Sequence, residues 1–168
     1  LSLHDALPIL LDLYARLSPV LSVHYPCYCQ GELPQPEIIA QFKAAGNAVI
    51  FATRSFWEGI NIPGDALALV ILDKIPFLPL RDPVVQRHDA LIQRRGGNPF
   101  QELQLGSAIL TLRQGAGRLI RAETDRGVIA LLDSRVLTKR YGRQIIHSLP
   151  EGCHTTDFTA VEAFFRHW

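Results

Sequence analysis

The sequence predicts an α/β domain with a mainly parallel sheet flanked by helices. Three continuous apolar runs lie at residues 47–53, 66–72 and 127–133. Such runs are typical of strands that are buried on both faces, as in parallel sheets. Segments with helical periodicity separate them, so strands and helices alternate along the chain. With 168 residues, 48% of them hydrophobic and 20% charged, the chain has the size and composition of one globular domain.

The first half is predicted to form two helix–strand units. Their order is a helix at 10–17, a strand at 20–28, a helix at 34–45 and a strand at 47–53. The first helix ends before Pro19, because proline disfavours a helical conformation in the residue that precedes it. β-branched and aromatic residues predict the next strand, which Gln30 and Gly31 close. Gly46 is the C-terminal stop of the second helix.

The second half is predicted to add two strands and three helices. Their order is a strand at 66–72, an extended segment at 75–83, a helix at 84–95, a connector at 98–105, a helix from 107 to 121, a strand at 127–133 and a helix at 139–149. Three prolines keep the segment at 75–83 out of a helix. Ser107 is predicted as an N-cap, and Pro150 ends the last helix. The tail at 151–168 is expected to dock on the body through Phe158, Val161, Phe164 and Phe165.

Composition excludes several classes of protein. A net charge of +1 means that any nucleic-acid site must be local. No apolar run reaches the ~18 residues of a membrane span, and no secretory signal is visible.

The cysteines do not suggest a disulfide framework. There are only three of them, an odd number, which indicates a protein of a reducing compartment. Cys27, Cys29 and His24 are either partial metal ligands or, more simply, ordinary side chains. The chain contains no methionine, so we expect a processed chain or a fragment, with residues 1–9 of open origin.

Residues 114–121 carry the most informative pattern, Gln-Gly-Ala-Gly-Arg-Leu-Ile-Arg. On a helix with ~100° per residue, Gln114, Arg118 and Arg121 fall within roughly 60° of one another. The opposite side is apolar and consists of Ile109, Leu112, Ala116 and Ile120. Two guanidiniums held on one face can grip a polyphosphate. Two other interpretations stay open, a dinucleotide-binding loop around Gly115 and Gly117, and a surface helix with solvated arginines.

A second group of polar and aromatic residues begins at Thr53, at the carboxyl end of a predicted buried strand. Ligands bind at this end of the strands in open α/β sheets. Hydroxyls at Thr53 and Ser55 can donate to phosphate oxygens, and Phe56 and Trp57 offer aromatic faces. Glu58 and Asn61 can accept hydrogen bonds from a ribose or a water. The alternative is a core aromatic pair followed by a turn.

Together the two patterns resemble the second motor domain of superfamily 2 helicases. Residues 55–65, Ser-Phe-Trp-Glu-Gly-Ile-Asn-Ile-Pro-Gly-Asp, look like motif V, and residues 114–121 look like motif VI, Gln-x-x-Gly-Arg-x-x-Arg. The DinG/XPD branch matches best, with supporting residues at 72–77, 82–83, 126–127, 133–135 and 141–142. The resemblance covers residues 18–150. It implies a RecA-like three-layer domain, 1–168, incomplete at its N-terminus, in an ATP-dependent DNA helicase of repair or replication.

The resemblance also implies catalytic roles for the motif VI residues. Arg118 and Arg121 would reach the γ-phosphate of ATP in a cleft between two motor domains, and Gln114 would assist them. Guanidiniums in this role stabilise the charge on the transferring phosphoryl group.

By resemblance, motif V would contribute residues to both the ATP site and the DNA site. By resemblance the ATP side consists of Glu58, Gly59 and Asn61. Asn61 stands where the branch has aspartate, so it keeps a hydrogen-bond acceptor and loses the charge. The DNA side consists of Thr53, Ser55 and Trp57, which would contact the phosphodiester backbone.

Several parts of such a helicase are absent from this sequence. It has no phosphate-binding loop, no Asp-Glu-x-His box and no four-cysteine cluster. The resemblance places the sites of ATP, Mg²⁺ and a 4Fe–4S cluster mainly in a first motor domain, so this chain alone is expected to be inactive and to hold no metal. Expected partners are single-stranded or forked DNA, the first motor domain and a replicative polymerase accessory subunit, in the bacterial cytoplasm without a membrane. Alternatives are a non-catalytic RecA-like binding module and a nucleotide-cofactor oxidoreductase.

Overall fold

The structure, a computed structural model, describes residues 3–57, 67–120 and 125–167. Its helices are α1 (Leu3–Leu21), α2 (Gln35–Ala45), α3 (Pro83–Arg94), α4 (Gly106–Leu119), α5 (Arg135–Thr138), α6 (Gly142–Ser148) and α7 (Phe158–Arg166). Its strands are β1 (Cys27–Cys29), β2 (Val49–Phe51), β3 (Leu69–Leu72) and β4 (Val128–Leu131). A 3₁₀ helix follows β2 at Arg54–Trp57, and a π-helical segment, Phe100–Leu105, leads directly into α4.

The described strands form two parallel pairs. β1 pairs with β2, with Cys27 opposite Val49 and Cys29 opposite Phe51. β3 pairs with β4 from Leu69 opposite Val128 to Leu72 opposite Leu131. Parallel strands separated by helices confirm the predicted α/β class. Parallel pairing also places the carboxyl ends of paired strands at one edge, where functional side chains can meet.

The first predicted boundary is wrong. α1 does not end before Pro19 but continues through it to Leu21, and so takes up the first residues of the predicted strand. Pro19 loses its own hydrogen bond to the preceding turn and its ring crowds the carbonyl of Ala15, but only two more residues follow it before α1 ends. The backbone N–H of Ser22 still donates to the carbonyl of Ser18 at 2.8 Å. The strand is therefore only Cys27–Cys29.

The predictions for α2 and α3 are confirmed to within about one residue. α2 ends where Gly46 adopts a φ of 74°, a conformation that glycine tolerates and other residues rarely adopt. α3 begins after Asp82, whose carboxylate accepts from the backbone N–H of Val84 at 2.8 Å. Pro83 occupies the first helical position, where its missing N–H has no intrahelical partner to lose.

Two predictions around α4 are wrong. The supposed connector at 98–105 is largely helical, and Ser107 lies inside the helix, so it is not an N-cap. The start is capped earlier. The side-chain oxygen of Asn98 accepts from the N–H of Gln101 at 3.2 Å, and Glu102 accepts from the N–H of Asn98 at 3.1 Å. This reciprocal arrangement, followed by Pro99, is similar to a capping box, with the acidic side chain four residues after Asn98 instead of three, and it satisfies two of the first free donors.

The helix predicted at 139–149 is shorter than predicted, and a helical turn that was not predicted precedes it. α5 ends at Thr138, and α6 begins only at Gly142. The backbone of Gly142 is so close to Val136 that a Cβ at this position would overlap with the Val136 carbonyl oxygen. The chain therefore turns sharply here, and only glycine fits the turn.

Burial of the strands and tail departs from the prediction in part. Residues of β3 alternate, with Leu69 and Ile71 exposed and Leu72 buried, so this strand is not buried on both faces. In α7 no residue is fully buried, and Phe158 is 73% exposed. Val161 is half-buried beside Leu69, so the tail contacts the body over only part of its stripe. Within the described residues, no helix is both long enough and apolar enough to cross a membrane.

Candidate functional site

The site begins at the shared carboxyl edge of β1 and β2. Gln30 follows β1 directly, and Thr53 comes two residues after β2. The N–H of Gln30 donates to the carbonyl of Phe51 at 2.9 Å, which extends the parallel pairing by one residue. The two side chains are thereby held next to each other on neighbouring strand ends.

Gln30, Thr53 and Ser55 form a hydrogen-bonded cluster at this edge. The side-chain oxygen of Gln30 accepts from the backbone N–H of Thr53 at 2.8 Å and from its hydroxyl at 2.9 Å. The hydroxyls of Thr53 and Ser55 lie 3.0 Å apart. The side-chain N–H₂ of Gln30 donates to the Ser55 oxygen at 3.4 Å. Sequence reasoning missed Gln30. Its position directly after a strand that neighbours the Thr53 strand was the signal that could have revealed it.

The three predicted DNA-side residues differ in their surroundings. The Thr53 residue is only 8% exposed, whereas Ser55 is exposed, so Ser55 is the hydroxyl that a ligand can reach. The backbone of Trp57 completes the 3₁₀ helix, and its side chain lies outside the described part of the structure. Phe56 is 4% exposed and packs with Ile38 and Phe42, so the core interpretation is correct for this aromatic residue.

The 3₁₀ helix is anchored from two directions. The N–H of Phe56 donates to the carbonyl of Thr53 at 3.0 Å, and the side chain of Gln35 donates to the carbonyl of Phe56 at 3.0 Å. Its backbone contacts α4. The turn that carries Ser55 is therefore hydrogen-bonded to α2 and runs beside α4.

The faces of α4 agree with the predicted amphipathic pattern. Leu112 and Ala116 are fully buried, Gln114 is exposed and Arg118 is half-buried. The helix ends at Leu119, because Ile120 has an extended conformation with φ −107° and ψ 105°. The helix that was predicted to group Arg121 with Arg118 therefore ends two residues before Arg121. Arg121 itself lies outside the described residues, as do the predicted ATP-side residues Glu58, Gly59 and Asn61.

A second polar cluster occupies the carboxyl end of β4. The carboxylate of Asp133 accepts from the N–H of Ile75 at 2.9 Å and from the N–H of Arg135 at 3.0 Å. The guanidinium of Arg135 donates to the same carboxylate, with its Nη2 at 2.6 Å. Hydrogen bonding from Arg135, followed by that from the two backbone groups, holds the pKa of the Asp133 carboxyl well below its usual range despite burial. In return, Asp133 raises the pKa of the Arg135 guanidinium.

This cluster ties the extended segment after β3 to the second half of the domain. The Arg135 guanidinium lies 5.2 Å from the ring centroid of Phe77, a cation–π distance. Phe77 in turn packs against Phe100 and Tyr141, at ring-centroid distances of 5.6 and 5.8 Å. The start of the helix that carries Arg118 is thus packed against the end of β4.

The cysteines do not form a metal centre with other described residues. Among the described residues, no three side chains of His, Cys, Asp or Glu come together in a way that could hold a metal ion. Cys29 is fully buried, and burial, reinforced by the charge of Glu32, raises the pKa of its thiol. Burial likewise raises the pKa of Cys27. Both thiols are therefore protonated near neutral pH, which opposes metal binding and nucleophilic chemistry.

Comparison with known proteins connects these elements to one family. The model of the family described as "Helicase C-terminal domain" matches residues 3–152. ATP-dependent DNA helicase YoaA of Escherichia coli (strain K12) is 44% identical over 139 residues, which are 83% of this chain and 22% of that protein. ATP-dependent helicase DinG of Mycobacterium tuberculosis (strain H37Rv) is 42% identical over 141 residues, 84% of this chain and 21% of that protein.

The solved structures agree on the fold. A structure titled as an XPD helicase superposes with a TM-score of 0.57 and 22% sequence identity, over 86% of this chain and 30% of that one. The likeness confirms the predicted RecA-like α/β fold. The chain spans about a fifth of the length of the curated relatives that it matches.

Proposed function

This chain belongs to the helicase C-terminal domain family, and we propose that it is the second motor domain of an ATP-dependent DNA helicase of the DinG, YoaA and XPD kind. One observation carries the proposal beyond family membership. α4, which bears Arg118, lies against the 3₁₀ helix that bears Ser55. A residue suited to phosphoryl transfer and a residue suited to a nucleic-acid backbone are thereby mounted on two elements in contact.

The catalytic part of the proposal concerns α4. Arg118, with Arg121, would complete an ATP site whose phosphate-binding loop and Mg²⁺ belong to a first motor domain. The fully buried Leu112 and Ala116 fix the back of the helix, so the guanidinium of Arg118 is presented from a rigid support. An arginine in this role typically increases the rate of hydrolysis ~10³–10⁵-fold, because it stabilises the charge on the phosphoryl oxygens. Gln114 is exposed one turn earlier and would assist.

The DNA part of the proposal concerns the turn after β2. The exposed hydroxyl of Ser55 would donate to a phosphodiester oxygen, and Thr53, which is mostly buried, would act by supporting Ser55. Trp57 would add a contact to the same strand. Glu58, Gly59 and Asn61 would line the ATP side of the cleft. Movement of this turn would then couple hydrolysis to stepping along single-stranded DNA.

The wider assignment follows from the relatives. We propose a bacterial cytoplasmic protein that acts on single-stranded or forked DNA in repair or replication. ATP and Mg²⁺ are its proposed cofactors, and a 4Fe–4S cluster is proposed only for the part outside this chain. A replicative polymerase accessory subunit is a proposed partner.

The test uses the complete helicase and single-stranded DNA. In the Arg118→Ala variant we expect DNA-stimulated ATP hydrolysis to fall about a thousandfold or more, while the affinity for DNA stays nearly unchanged. Arg113→Ala is the matched control, because Arg113 is an exposed arginine on the same helix and lies outside the motif. Loss of DNA binding with retained hydrolysis would contradict the assignment. So would substantial ATP hydrolysis by the isolated 168-residue chain, since it lacks a phosphate-binding loop.

If the complete helicase with Arg118→Ala hydrolysed ATP normally, this domain would take no part in the reaction. That result would favour the alternative, a RecA-like module that binds DNA or protein and is not catalytic. The alternative is supported by the absence of a phosphate-binding loop from this sequence.

A further inference from the structure

We infer that Gln30 is a positioning residue for the DNA contact of Ser55, so that its side-chain amide holds the Ser55 oxygen in place while the hydroxyl proton is free to turn to a phosphate. The inference rests on the proposed function, in which Ser55 contacts the DNA backbone. It assigns a role to a residue that lies in neither motif.

The orientation of the Gln30 amide follows from its partners. The backbone N–H of Thr53 can only donate, and it lies 2.8 Å from one end of the amide, so that end is the oxygen. The other end is therefore the N–H₂ group, which can only donate and lies 3.4 Å from the Ser55 oxygen. An amide flipped by 180° would place two donors face to face at Thr53.

The direction of every remaining hydrogen bond is then determined. The Thr53 hydroxyl lies 2.9 Å from the Gln30 oxygen, an acceptor, so it donates there. Since its one proton is used, it must accept from the Ser55 hydroxyl at 3.0 Å. Gln30, Thr53 and Ser55 therefore form a closed ring in which each hydrogen bond points the same way round.

This ring sets what Ser55 can do when DNA arrives. Its proton points to Thr53, while its exposed oxygen already accepts from Gln30. Rotation about one bond would turn the proton to a phosphate oxygen and leave the Gln30 bond intact. Thr53 would lose one accepted hydrogen bond but keep the one that it donates. A hydroxyl that accepts a hydrogen bond is also a better donor, because neighbouring hydrogen bonds polarise one another.

Gln30 is itself firmly held, as a positioning residue must be. Its N–H is bonded to Phe51 at 2.9 Å, and its side chain is bonded to the backbone of Thr53, so both strands of the parallel pair fix it. Its side chain therefore links the ends of β1 and β2 and sets the distance between the Ser55 oxygen and this edge.

The experiment measures the affinity of the complete helicase for single-stranded oligodeoxythymidine by fluorescence anisotropy at several salt concentrations. We expect Ser55→Ala and Gln30→Leu each to weaken binding by about tenfold, as for the loss of one hydrogen bond to a charged group. The double variant should be no weaker than Ser55→Ala alone, because Gln30 acts through Ser55. The slope of affinity against salt should stay unchanged, since no cation is removed.

Two further variants separate positioning from a general loss of structure. Gln30→Glu keeps the size and both acceptor bonds from Thr53, but it cannot donate to Ser55 and instead attracts the Ser55 proton. We expect it to bind DNA at least as weakly as Gln30→Leu. Gln86→Leu is the matched control, because Gln86 also donates to a backbone carbonyl, that of Leu80 at 3.1 Å, but does not belong to the ring of Gln30, Thr53 and Ser55. Its affinity for DNA should stay within about twofold of the parent, as for a change outside the contact.

The possible failures are distinguishable. Three results would overturn the inference and leave the proposed function standing. They are wild-type affinity in Gln30→Glu, an effect of Gln30→Leu that persists in the Ser55→Ala background, and an equal loss in Gln86→Leu. Wild-type affinity in Ser55→Ala would overturn both the inference and the proposed DNA contact. The catalytic part of the proposed function would still be judged separately, by ATP hydrolysis in Arg118→Ala.

Discussion

Asp133 and Arg135 form an ion pair that closes the carboxyl end of β4. The guanidinium approaches both carboxylate oxygens, at 2.9 Å and 2.6 Å, while the carboxylate also accepts from the N–H of Ile75. The Asp133 side chain is 6% exposed and that of Arg135 is 41% exposed. The pair therefore joins two segments that are distant in sequence, the one at Ile75 and the one after β4, and its loss should affect the stability of the domain.

Asp133→Asn should destabilise the 168-residue chain by about 2 kcal/mol. The amide cannot accept from Ile75 and from Arg135 as the carboxylate does, and the partly exposed Arg135 limits the loss by turning to water. Urea unfolding measures the change. Asp12→Asn is the control, since Asp12 and Arg16 form an exposed pair at 3.6 Å whose loss should cost under about 0.5 kcal/mol. Equal effects of the two variants would contradict the role given to Asp133.

The contribution of Asp133 should depend on pH in one direction. Its pKa is lower in the folded chain than the value of ~3.9 typical of an unfolded chain, so the unfolded state binds more protons in acid. The stabilisation is fully present above pH ~4–5 and is lost as the pH falls toward the folded pKa. The difference in unfolding free energy between the parent and Asp133→Asn should thus be constant from pH 5 to 7 and shrink below about pH 4. A difference that grows in acid would exclude this origin.

Gly142→Ala should destabilise the domain by about 3 kcal/mol, because the new methyl group would overlap with a backbone oxygen that cannot move independently. Gly106→Ala provides the opposite case. That glycine is helical and has open space around its Cα, so alanine should stabilise by about 0.5–1 kcal/mol. Thermal unfolding of both variants checks the pair, and a stable Gly142→Ala would show that the turn between α5 and α6 can open.

Arg118→Lys should fail to restore ATP hydrolysis in the complete helicase. Lysine keeps the positive charge but loses the planar fork that bonds two phosphoryl oxygens, so we expect kcat to stay at least about a hundredfold below the parent value. Arg113→Lys should be indistinguishable from the parent. Full activity in Arg118→Lys would mean that a point charge is sufficient at this position.

The three cysteines should differ in reactivity toward a thiol reagent such as DTNB. Cys153 is exposed and should react at once, whereas Cys29 is fully buried with a raised pKa and should react only on unfolding. Cys27 is half-buried, donates to the carbonyl of Tyr25 at 3.3 Å and should react slowly. The number of thiols that have reacted is followed over time, first in native buffer and then in urea. Rapid labelling of all three would show that β1 opens readily.

The sequence was most informative where local signals act alone. The Gly46 stop predicted the end of α2 because caps are short-range features. Asp82 and Pro83 carry an equally local start signal for α3, but the prediction assigned Pro83 to the extended segment before it. The Pro19 prediction was wrong because the preference of the residue before a proline for an extended conformation is a tendency, and α1 continues only two residues beyond Pro19. The prediction of Ser107 as the N-cap was wrong because Asn98 and Glu102 cap the helical segment nine residues earlier. The sequence at the true start therefore contained a capping signal.

The site was predictable in its residue types but not in its partners. Ser55 and Arg118 could be selected from their motifs, whereas Gln30 required the pairing of β1 with β2, which no local pattern contains. The burial of Thr53 likewise follows from tertiary packing, and it changes the proposed role of that hydroxyl from a contact to a support.

The uninterrupted passage from the π-helical segment into α4 has a mechanical consequence. Phe100 stands at one end, locked among aromatic rings, and Arg118 stands near the other, roughly 25 Å away at 1.5 Å per residue. Gly106, at the junction, keeps helical angles of φ −59° and ψ −46°, so no hinge separates the two ends. The aromatic contacts at one end and the buried side of α4 therefore hold a single rigid rod, and together they set where the guanidinium stands.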